Sequence, residues 1–568
     1  MFVIASDRRE RSNLFFNRLL RRPAGLLAMT FFSLVFPAPT PAAEEKPALI
    51  VFIVIDGLPA RQFTAALNFF GEGGFRRLIE DGAWIPAARY RYASTVTAPG
   101  HATLVTGQQP ARHGVVGNEW YDSRAGRIVY STEDGEYPIL DELPKPRRSG
   151  ASPRNLMRPA FGDWLKTNGY SRVFAASMKD RAAVIMAGQG GTAYFYSAVS
   201  GRFISSAYYM QDFPPWLKNY HASKIQDRWF GKYWNPEFGE KFWEHAAQPP
   251  REQHMDSRGL GKQFPHRVTG RLSAPGASYY AALARTPYAD EYLADFVKRL
   301  VREEDLGQNP AGVPDVLAVS FSAHDYINHH YGPESLESLD HLLRLDRILA
   351  DLLKFLEQEA GTGKVIAVLS ADHGFAETPE YCTWTGRPAG RIDGVKLVKR
   401  LNRHLARKFG NGIYIAAWTY PELSLSDRAI ERSGRGPRQI EMEAQRFIAQ
   451  WDGIEKVYSQ TAIEEAPDDS AFENVVRAGR YPGRSGNLFL VPRECWFMLN
   501  APKQMAANHG TPHACDAEVP LIFWGQPFKP GRYDMTADPA DAVPTLAAAL
   551  GAKNEMESDG RALDALLN

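Results

Sequence analysis

Four short apolar segments constrain the fold of this chain more than any other feature of its sequence. They read ALIVFIVI at 48–55, VLAVSFS at 316–322, VIAVLS at 365–370 and VPLIFW at 519–524. Each is apolar at consecutive positions and rich in aliphatic residues, which is typical of a parallel strand buried on both faces. Helical patterns, such as those at 288–304 and 335–359, lie between them. The alternation predicts an α/β fold with a mostly parallel central sheet and helices on both faces.

Two stretches interrupt this alternation and are predicted to be insertions that form cap elements over the sheet edge. Residues 195–285 are dense in aromatic side chains, and residues 385–480 contain the basic piece RSGRGPR at 432–438. The aromatic side chains either pack the insertion onto the core or contact a substrate. The basic piece is interpreted as a solvated loop. Both insertions are assigned to one domain covering residues 44–568.

The first 43 residues have the pattern of a secretory signal peptide. Residues 1–22 contain six Arg and two acidic residues, and the apolar run AGLLAMTFFSLVFPA follows at 24–38. Small residues then precede a charged stretch, which predicts cleavage near Ala42 or Ala43. The alternative is a membrane anchor, but the run is shorter than the roughly 20 residues needed to span a bilayer. We therefore expect a periplasmic or secreted protein without stable membrane insertion.

Charge and cysteine content exclude two further classes. The chain has 66 Lys and Arg against 65 Asp and Glu, so it is not a nucleic-acid binder that works through bulk positive charge. Its three cysteines, Cys382, Cys495 and Cys515, allow at most one internal disulfide, and the sequence does not say which pair forms it. No two of them have the close spacing of a thiolate metal site.

Acidic and imidazole side chains follow three of the apolar segments. Asp56 follows the first, Asp325 and His329 follow the second, and Asp372 and His373 follow the third. Open α/β sheets bind ligands beyond the carboxyl ends of their strands, so these groups are expected at one edge. A single Asp after a strand is commonly a turn or capping residue, but three are harder to explain in that way.

Mixed nitrogen and oxygen ligands without cysteine suggest a catalytic zinc pair. Asp325 and His329 are four residues apart and share one face of a helical turn, so both can reach one ion. A later histidine, His509, precedes the fourth apolar segment. Any one of these histidines could instead be a satisfied core residue. Five others are interpreted as bystanders: His101, His113, His324, His330 and His513.

A helix start at Thr97 supplies the candidate nucleophile. In TAPGHATLVTG at 97–107, a Pro two residues after Thr97 and the apolar pattern beyond it predict a helix N-terminus. Such a terminus presents free N–H groups that suit a phosphate. Taken alone, Thr97 is better explained as a capping residue. Beside a metal site, its hydroxyl becomes a nucleophile that a metal can deprotonate.

These motifs resemble the alkaline phosphatase superfamily, and within it the bacterial exported phosphomonoesterases that use Thr as nucleophile. The matching pieces, in the family's order, are IVIDGL at 53–58, TAPGHATLVTG at 97–107, HGVVGNEWYD at 113–122, SMKDRAA at 177–183, DYINHHYGP at 325–333, ADHGFAE at 371–377 and NHGTPHACDAEVPLIFWG at 508–525. The resemblance spans residues 47–525 and implies that residues 44–568 form an alkaline phosphatase-like catalytic domain.

The resemblance also implies two Zn²⁺ ions and a phosphate clamp. One ion is expected on Asp325, His329 and His509. The other is expected on Asp56, Thr97, Asp372 and His373. The clamp for the non-bridging oxygens is implied to be Asn118, Lys179 and Arg181, in keeping with the fork of Arg and the point charge of Lys. Without the family, Lys179 and Arg181 read as a surface charge cluster with Asp180.

The sequence thus predicts a zinc-dependent alkaline phosphatase that hydrolyses small-molecule phosphate monoesters through a phospho-threonine. One rival is a phosphodiesterase or nucleotide pyrophosphatase of the same superfamily, with an ester-accepting pocket near Lys179 and Arg181. A second rival is an exported binding protein without activity. No nucleic-acid partner is expected. The oligomeric state is open, and a monomer is compatible with the sequence.

Overall fold

A ten-stranded mixed sheet forms the centre of the fold. The computed structural model describes residues 46–140, 150–167, 169–237, 255–256, 258–467, 469–499, 505–552 and 556–568; the predicted signal peptide lies outside them. The strands are β1 Leu49–Ile55, β2 Gly82–Arg89, β3 Glu119–Asp122, β4 Arg127–Tyr130, β5 Ile139–Leu140, β6 Val173–Ser177, β7 Thr192–Tyr196, β8 Phe203–Ser206, β9 Tyr233–Trp234, β10 His266–Arg267, β11 Asp315–Phe321, β12 Val365–Ser370, β13 Gly390–Asp393, β14 Ile415–Thr419, β15 Glu422–Leu425, β16 Ile454–Ser459, β17 Leu488–Pro492, β18 Trp496–Leu499, β19 Glu518–Trp524 and β20 Gly531–Arg532.

Helices alternate with these strands along most of the chain. They are α1 Ala60–Ala66, α2 Phe75–Glu80, α3 Thr97–Thr106, α4 Pro110–His113, α5 Phe161–Thr167, α6 Asp180–Ala187, α7 Pro215–Ala222, α8 Ala277–Leu283, α9 Pro287–Glu303, α10 Ala323–Tyr331, α11 Leu336–Ala360, α12 Pro379–Trp384, α13 Gly394–Phe409, α14 Asp427–Ser433, α15 Pro437–Ile448, α16 Gln460–Glu465, α17 Ala471–Ala478, α18 Ala514–Ala517 and α19 Ala542–Ala549. The patterns at 288–304 and 335–359 correspond to α9 and α11.

The strand order of the central sheet is β20-β2-β19-β12-β1-β11-β6-β7-β8-β5. The five inner strands from β12 to β7 pair in parallel. Every residue of β1 is buried, which requires cover on both faces of the sheet. The predicted α/β architecture with a mostly parallel sheet and flanking helices is confirmed.

One strand departs from the expectation. The apolar segment at 519–524 forms most of β19, which is buried as predicted, but it pairs antiparallel with both β12 and β2. The prediction of four parallel strands was therefore wrong for this segment. A strand enclosed on both faces is apolar in either direction, so its composition carries no information about orientation.

A second, smaller core lies in the later part of the chain. Strands β14, β15, β17 and β16 form a four-stranded sheet in that order, and helices α13 and α15 pack on each other beside it. Their apolar side chains form a cluster separate from the main core. This sheet draws on the segment 385–480 and is completed by β17 beyond it. The assignment of 195–285 and 385–480 as cap insertions in a domain covering 44–568 stays a prediction.

None of the helices in the described ranges combines the length and the apolar character that crossing a membrane requires.

Candidate active site

The carboxyl ends of three adjacent parallel strands each lead into a buried acidic residue. Register pairing aligns the ends of β12, β1 and β11. Asp56 directly follows β1, and its N–H donates to the Phe321 carbonyl at 3.0 Å. Asp372 follows β12 by two residues, and Asp325 lies in the first turn of α10. The topology therefore brings together three carboxylates that are distant in sequence, as the strand-end pattern predicted.

Three histidines direct the same ring nitrogen toward these carboxylates. The Nδ1 atoms of His329, His373 and His509 each lie 2.8 to 3.1 Å from a backbone carbonyl oxygen. A carbonyl can only accept, so Nδ1 carries the hydrogen and Nε2 keeps its lone pair. Burial lowers the pKa of His329 and lowers that of His373 to about 3, which keeps both rings neutral. This is the tautomer in which histidine binds a metal.

Asp325, His329 and His509 form one potential ligand group. The Nε2 atoms of His329 and His509 lie 3.4 and 3.5 Å from Asp325 Oδ1. That oxygen is buried and accepts no hydrogen bond from the described residues. Two neutral imidazoles facing an unpartnered carboxylate oxygen are the donor set of a divalent cation, so these residues fit a metal ion.

Asp56, Asp372 and His373 form a second group beside the first. His373 Nε2 lies 3.4 Å from Asp372 Oδ2 and 3.6 Å from Asp56 Oδ1. Within the described residues, both His373 Nε2 and Asp372 Oδ2 are buried and lack a hydrogen-bond partner. His373 Nε2 is also 3.9 Å from Asp325 Oδ1, so it stands between the two groups. The backbone bends enough for the adjacent Asp372 and His373 to face one point, and this group also fits a cation.

The local charge favours bound cations. Burial raises the pKa of Asp56, and the neighbouring Asp372 carboxylate raises it further. Lys179 offsets part of this charge, because its ammonium lies 2.8 Å from Asp56 and 2.6 Å from Asp325. The two carboxylates hold the pKa of Lys179 above its ordinary value despite burial. One lysine faces three buried carboxylates, which leaves net negative charge for metal ions to neutralise.

Thr97 begins α3 at the edge of these groups. It is the first helical residue rather than the N-cap, which is Val96, so its hydroxyl is not used for capping. That hydroxyl oxygen accepts hydrogen bonds from Arg181 Nη2 at 3.3 Å and from Lys179 Nζ at 3.5 Å. Gly100 fixes the approach of the helix, because a Cβ there would lie 2.0 Å from the Asp372 carbonyl oxygen. Thr97 is therefore not the capping residue of α3, and its hydroxyl is open to contacts from other elements.

Asn118, Lys179 and Arg181 converge on the Thr97 end of α3. Asn118 Oδ1 accepts from the Ala98 N–H at 2.9 Å. Lys179 and Arg181 follow β6, the next parallel strand, and are not the surface charge cluster that the sequence alone allowed. Sequence reasoning missed Tyr130, whose hydroxyl lies 3.2 Å from Arg181 Nη1. No motif signals this tyrosine, because it comes from the separate strand β4.

The five histidines interpreted as bystanders have partners outside the two ligand groups, but one of them also lies beside a candidate ligand. Both ring nitrogens of His101 are bonded at 2.8 Å, one to the Thr97 carbonyl and one to Ser320 Oγ, and its Nδ1 lies 3.3 Å from Asp372 Oδ2. The other four contact protein groups away from the ligand atoms: His113, His324, His330 and His513. The interpretation of the five as bystanders stays a prediction, and His101 contacts Asp372 without belonging to either ligand group.

A disulfide joins Cys382 to Cys495. It ties α12, which follows the Asp372 segment, to the start of β18. Cys515 is a free thiol, and burial raises its pKa. The sequence allowed one disulfide among three cysteines without choosing the pair, and the structure makes that choice.

Comparisons with known proteins find related sequences over most of the chain. The family model for type I phosphodiesterase / nucleotide pyrophosphatase matches residues 50–514. A protein named calcium-transporting ATPase from Myroides odoratus is 30% identical over 509 residues, covering 89% of this chain and 92% of the relative. Alkaline phosphatase PhoV from Synechococcus elongatus is 29% identical over 537 residues, covering 94% and 95%.

A solved structure has the same fold. The crystal structure of wild-type alkaline phosphatase PafA matches with a TM-score of 0.84 at 26% identity, covering 93% of this chain and 100% of that one. The family match covers most of the chain, including every residue of the site described above. The chain therefore belongs to the type I phosphodiesterase / nucleotide pyrophosphatase family, within the alkaline phosphatase superfamily.

Proposed function

We propose that this protein is a zinc-dependent alkaline phosphatase that hydrolyses phosphate monoesters and releases inorganic phosphate. The observation that carries the proposal is the position of the Thr97 hydroxyl, which is contacted by the buried Lys179 and the half-buried Arg181. Beside it, the ligand atoms of two groups lie within 4.8 Å of one another: Asp56, Asp372 and His373, and Asp325, His373 and His509. The names of the matching family and relatives, whether phosphatase, phosphodiesterase or ATPase, all denote enzymes that hydrolyse a phosphoryl bond. Among enzymes that hydrolyse phosphoryl bonds, we therefore assign the protein to the phosphoric monoester hydrolases.

The metal assignment follows from the two ligand groups. Asp325, His329 and His509 would hold one zinc ion. The second would be held by Asp56, Thr97, Asp372 and His373. When bound, such ions supply Lewis acidity that lowers the pKa of a nearby hydroxyl and neutralises charge on a leaving oxygen.

Within that setting, the side chains divide the work of phosphoryl transfer. The Thr97 oxygen attacks phosphorus in line and displaces the alcohol, giving a phospho-threonine. Water then cleaves the Oγ–P bond and restores the hydroxyl. Arg181 and Lys179 already donate toward the Thr97 oxygen, so they stabilise negative charge as it moves onto the transferred group.

Preference for a monoester follows from the charge of this clamp. A monoester dianion offers three non-bridging oxygens, and Asn118, Lys179 and Arg181 can meet those turned away from the metals. A diester has one fewer free oxygen and one fewer negative charge, and its second ester group would crowd the two cations. The alternative is a phosphodiesterase or nucleotide pyrophosphatase, which the name of the family model favours.

The test compares kcat/KM for an aryl phosphate monoester and the matched methyl aryl diester. Removing both cations, Lys179→Ala with Arg181→Ala, should lower monoester hydrolysis by roughly 30- to 1000-fold and diester hydrolysis much less. The control variant, Lys218→Ala with Arg228→Ala, removes the same two charges at exposed positions and should change neither rate. Equal losses on both substrates, or a wild type that prefers the diester, would contradict the monoesterase proposal.

We further propose export to the periplasm or the medium, with small-molecule phosphate esters as partners. The Cys382–Cys495 disulfide supports an oxidising compartment. A monomer carries every group that the mechanism names, so no second subunit is required for the proposed chemistry.

A further inference from the structure

A third cation lies next to the phosphate clamp, on the face of an aromatic ring. The Tyr326 ring has Lys179 Nζ 5.1 Å from its centre and the Arg285 guanidinium carbon 5.0 Å from the same centre. Both cations are at cation–π distance from the ring. Lys179 Nζ and the Arg285 guanidinium carbon are therefore no farther apart than the sum of their two distances from the ring centre. Arg285 is thus linked to the clamp through one side chain, although it comes from the end of the inserted segment 195–285.

Arg285 has no acidic partner among the described residues. Its Nη1 donates to the carbonyl of Ala281 in α8, the helix that ends just before Arg285, and no carboxylate of the described residues lies within ion-pair distance. Its Nε is buried without a hydrogen-bond partner in the described part of the chain. A largely buried guanidinium normally has a carboxylate partner, because leaving its donors unpaired costs free energy. The side chain keeps some solvent exposure, so a ligand can reach it.

A further positive charge lies near Arg285. Burial lowers the pKa of Arg285 and the nearby Arg258 lowers it further, while Tyr326 and Asp325 offset only part of this shift. Arg258 is exposed and forms no ion pair with the described residues. Arg285 and Arg258 repel one another, and an anionic ligand would relieve that repulsion.

We propose that Arg285, supported by Arg258, is a specificity-determining anion subsite that binds a second negative group on the leaving-group side of the substrate. The preferred substrates are then phosphate monoesters whose alcohol portion itself carries a carboxylate or a further phosphoryl group. The subsite deepens the proposed function and rests on it. The clamp holds the transferred phosphoryl group at Thr97, so the next cation beyond Tyr326 meets the remainder of the molecule.

The experiment uses aryl monoesters that differ only in a remote charge. The probes are 3-carboxyphenyl and 4-carboxyphenyl phosphate, each paired with its uncharged carboxamide, and kcat/KM is measured with metal-replete full-length protein. For at least one of the two ring positions, kcat/KM of the wild type should be roughly tenfold higher for the carboxylate than for its carboxamide. Arg285→Met should remove this preference by slowing the carboxylate alone, and Arg285→Lys should retain part of it.

Controls separate recognition from a structural role. Arg267→Met removes an exposed arginine of the same inserted segment and should leave the preference intact. Thermal melting of each variant checks folding, and the preference of the wild type needs no variant at all. A phosphonate at the ring position of the carboxylate identifies the preferred anion. A larger Arg285 effect on the phosphonate indicates a second phosphoryl group, and the reverse indicates a carboxylate.

The outcomes also separate this proposal from the one it rests on. Equal losses on the charged and uncharged esters in Arg285→Met would overturn the subsite and leave the phosphatase proposal intact. Absence of any preference in the wild type at both ring positions would do the same. Failure of the wild type to hydrolyse any of these monoesters would instead contradict the proposed function.

Discussion

At the scale of single residues, the Thr97 oxygen is the point where the parts of the site meet. Arg181 and Lys179 donate toward it at 3.3 and 3.5 Å, and hydrogen bonds of this kind favour an ionised oxygen. Val96 rather than Thr97 is the N-cap of α3, so capping does not compete for the hydroxyl. The proposed nucleophile is therefore contacted by groups that its own helix does not supply.

Replacing Thr97 tests this role directly. Thr97→Ser should keep kcat/KM for an aryl monoester within roughly tenfold, because Ser supplies the same oxygen without the methyl group. Thr97→Ala should lose at least about 1000-fold, since it supplies no oxygen to phosphorylate. Thr167→Ala, on the exposed end of α5, is the matched control and should be silent. Acid-trapped phosphoenzyme on a residue other than Thr97 would show that the nucleophile was misassigned.

At the scale of elements, local patterns predicted what depends on local spacing. The pair Asp325 and His329 shares one face of α10 because the two residues are four apart, and this needed no tertiary information. The contact of Arg285 with the Tyr326 ring had no such signal, because Arg285 lies in the turn between α8 and α9 and Tyr326 lies on α10. The direction of β19 was unpredictable for a related reason, since pairing partners determine it rather than composition.

The small sheet contains a buried carboxyl whose titration should be measurable. Burial raises the pKa of Glu422 on β15 to about 7, with Arg480 partly opposing the shift. The folded pKa lies above the unfolded value, so the stabilising contribution is complete below about pH 4.5 and is lost as pH rises through about 7. Glu422→Gln keeps an acceptor for the Gly486 N–H, which donates to Glu422 at 2.8 Å, and does not titrate.

The variant should therefore gain on the wild type as pH rises from 5 to 8, by up to roughly 3 kcal/mol. Thermal melting across this pH range measures the difference, with the exposed Glu431→Gln as control. A constant difference between Glu422→Gln and wild type over the range would mean that Glu422 titrates normally.

The disulfide is the covalent link between α12 and the start of β18. It closes a loop with a sequence separation of 113 residues, for which the chain-entropy model gives about 4–5 kcal/mol of stabilisation. Cys382→Ser with Cys495→Ser should lower the melting temperature, as should reduction of the wild type. Cys515→Ala removes the free thiol and serves as control. Titration of denatured, unreduced protein should find one free thiol; three would refute the disulfide.

At the scale of the whole molecule, the site is assembled from nearly the full described length of the chain. Thr95 and His509 are joined by a hydrogen bond of 3.0 Å across a sequence separation of 414 residues. The Gly57 N–H reaches Asp372 at 3.0 Å across 315. Candidate metal ligands drawn from such distant segments meet only after the sheet has formed, so an ion that binds them would also stabilise the fold. The sequence motifs predicted the acidic and histidine residues of the candidate site, but not the contacts that orient each histidine ring.

Metal removal should consequently lower stability and activity together. Three buried carboxylates face one lysine in this cluster, and without cations their mutual repulsion and desolvation are left largely uncompensated. Two ions present at about 100 to 1,000 times their Kd would contribute about 5–8 kcal/mol. Calorimetry of chelated and zinc-reloaded protein should therefore show a lower melting temperature and no activity in the first, and recovery of both in the second.

In Asp56→Asn with Asp372→Asn, where the repulsion is already relieved, the chelator should shift melting much less. Equal melting temperatures with full activity after chelation would refute the metal assignment, and loss of activity without any change in melting would place the ions outside this buried cluster.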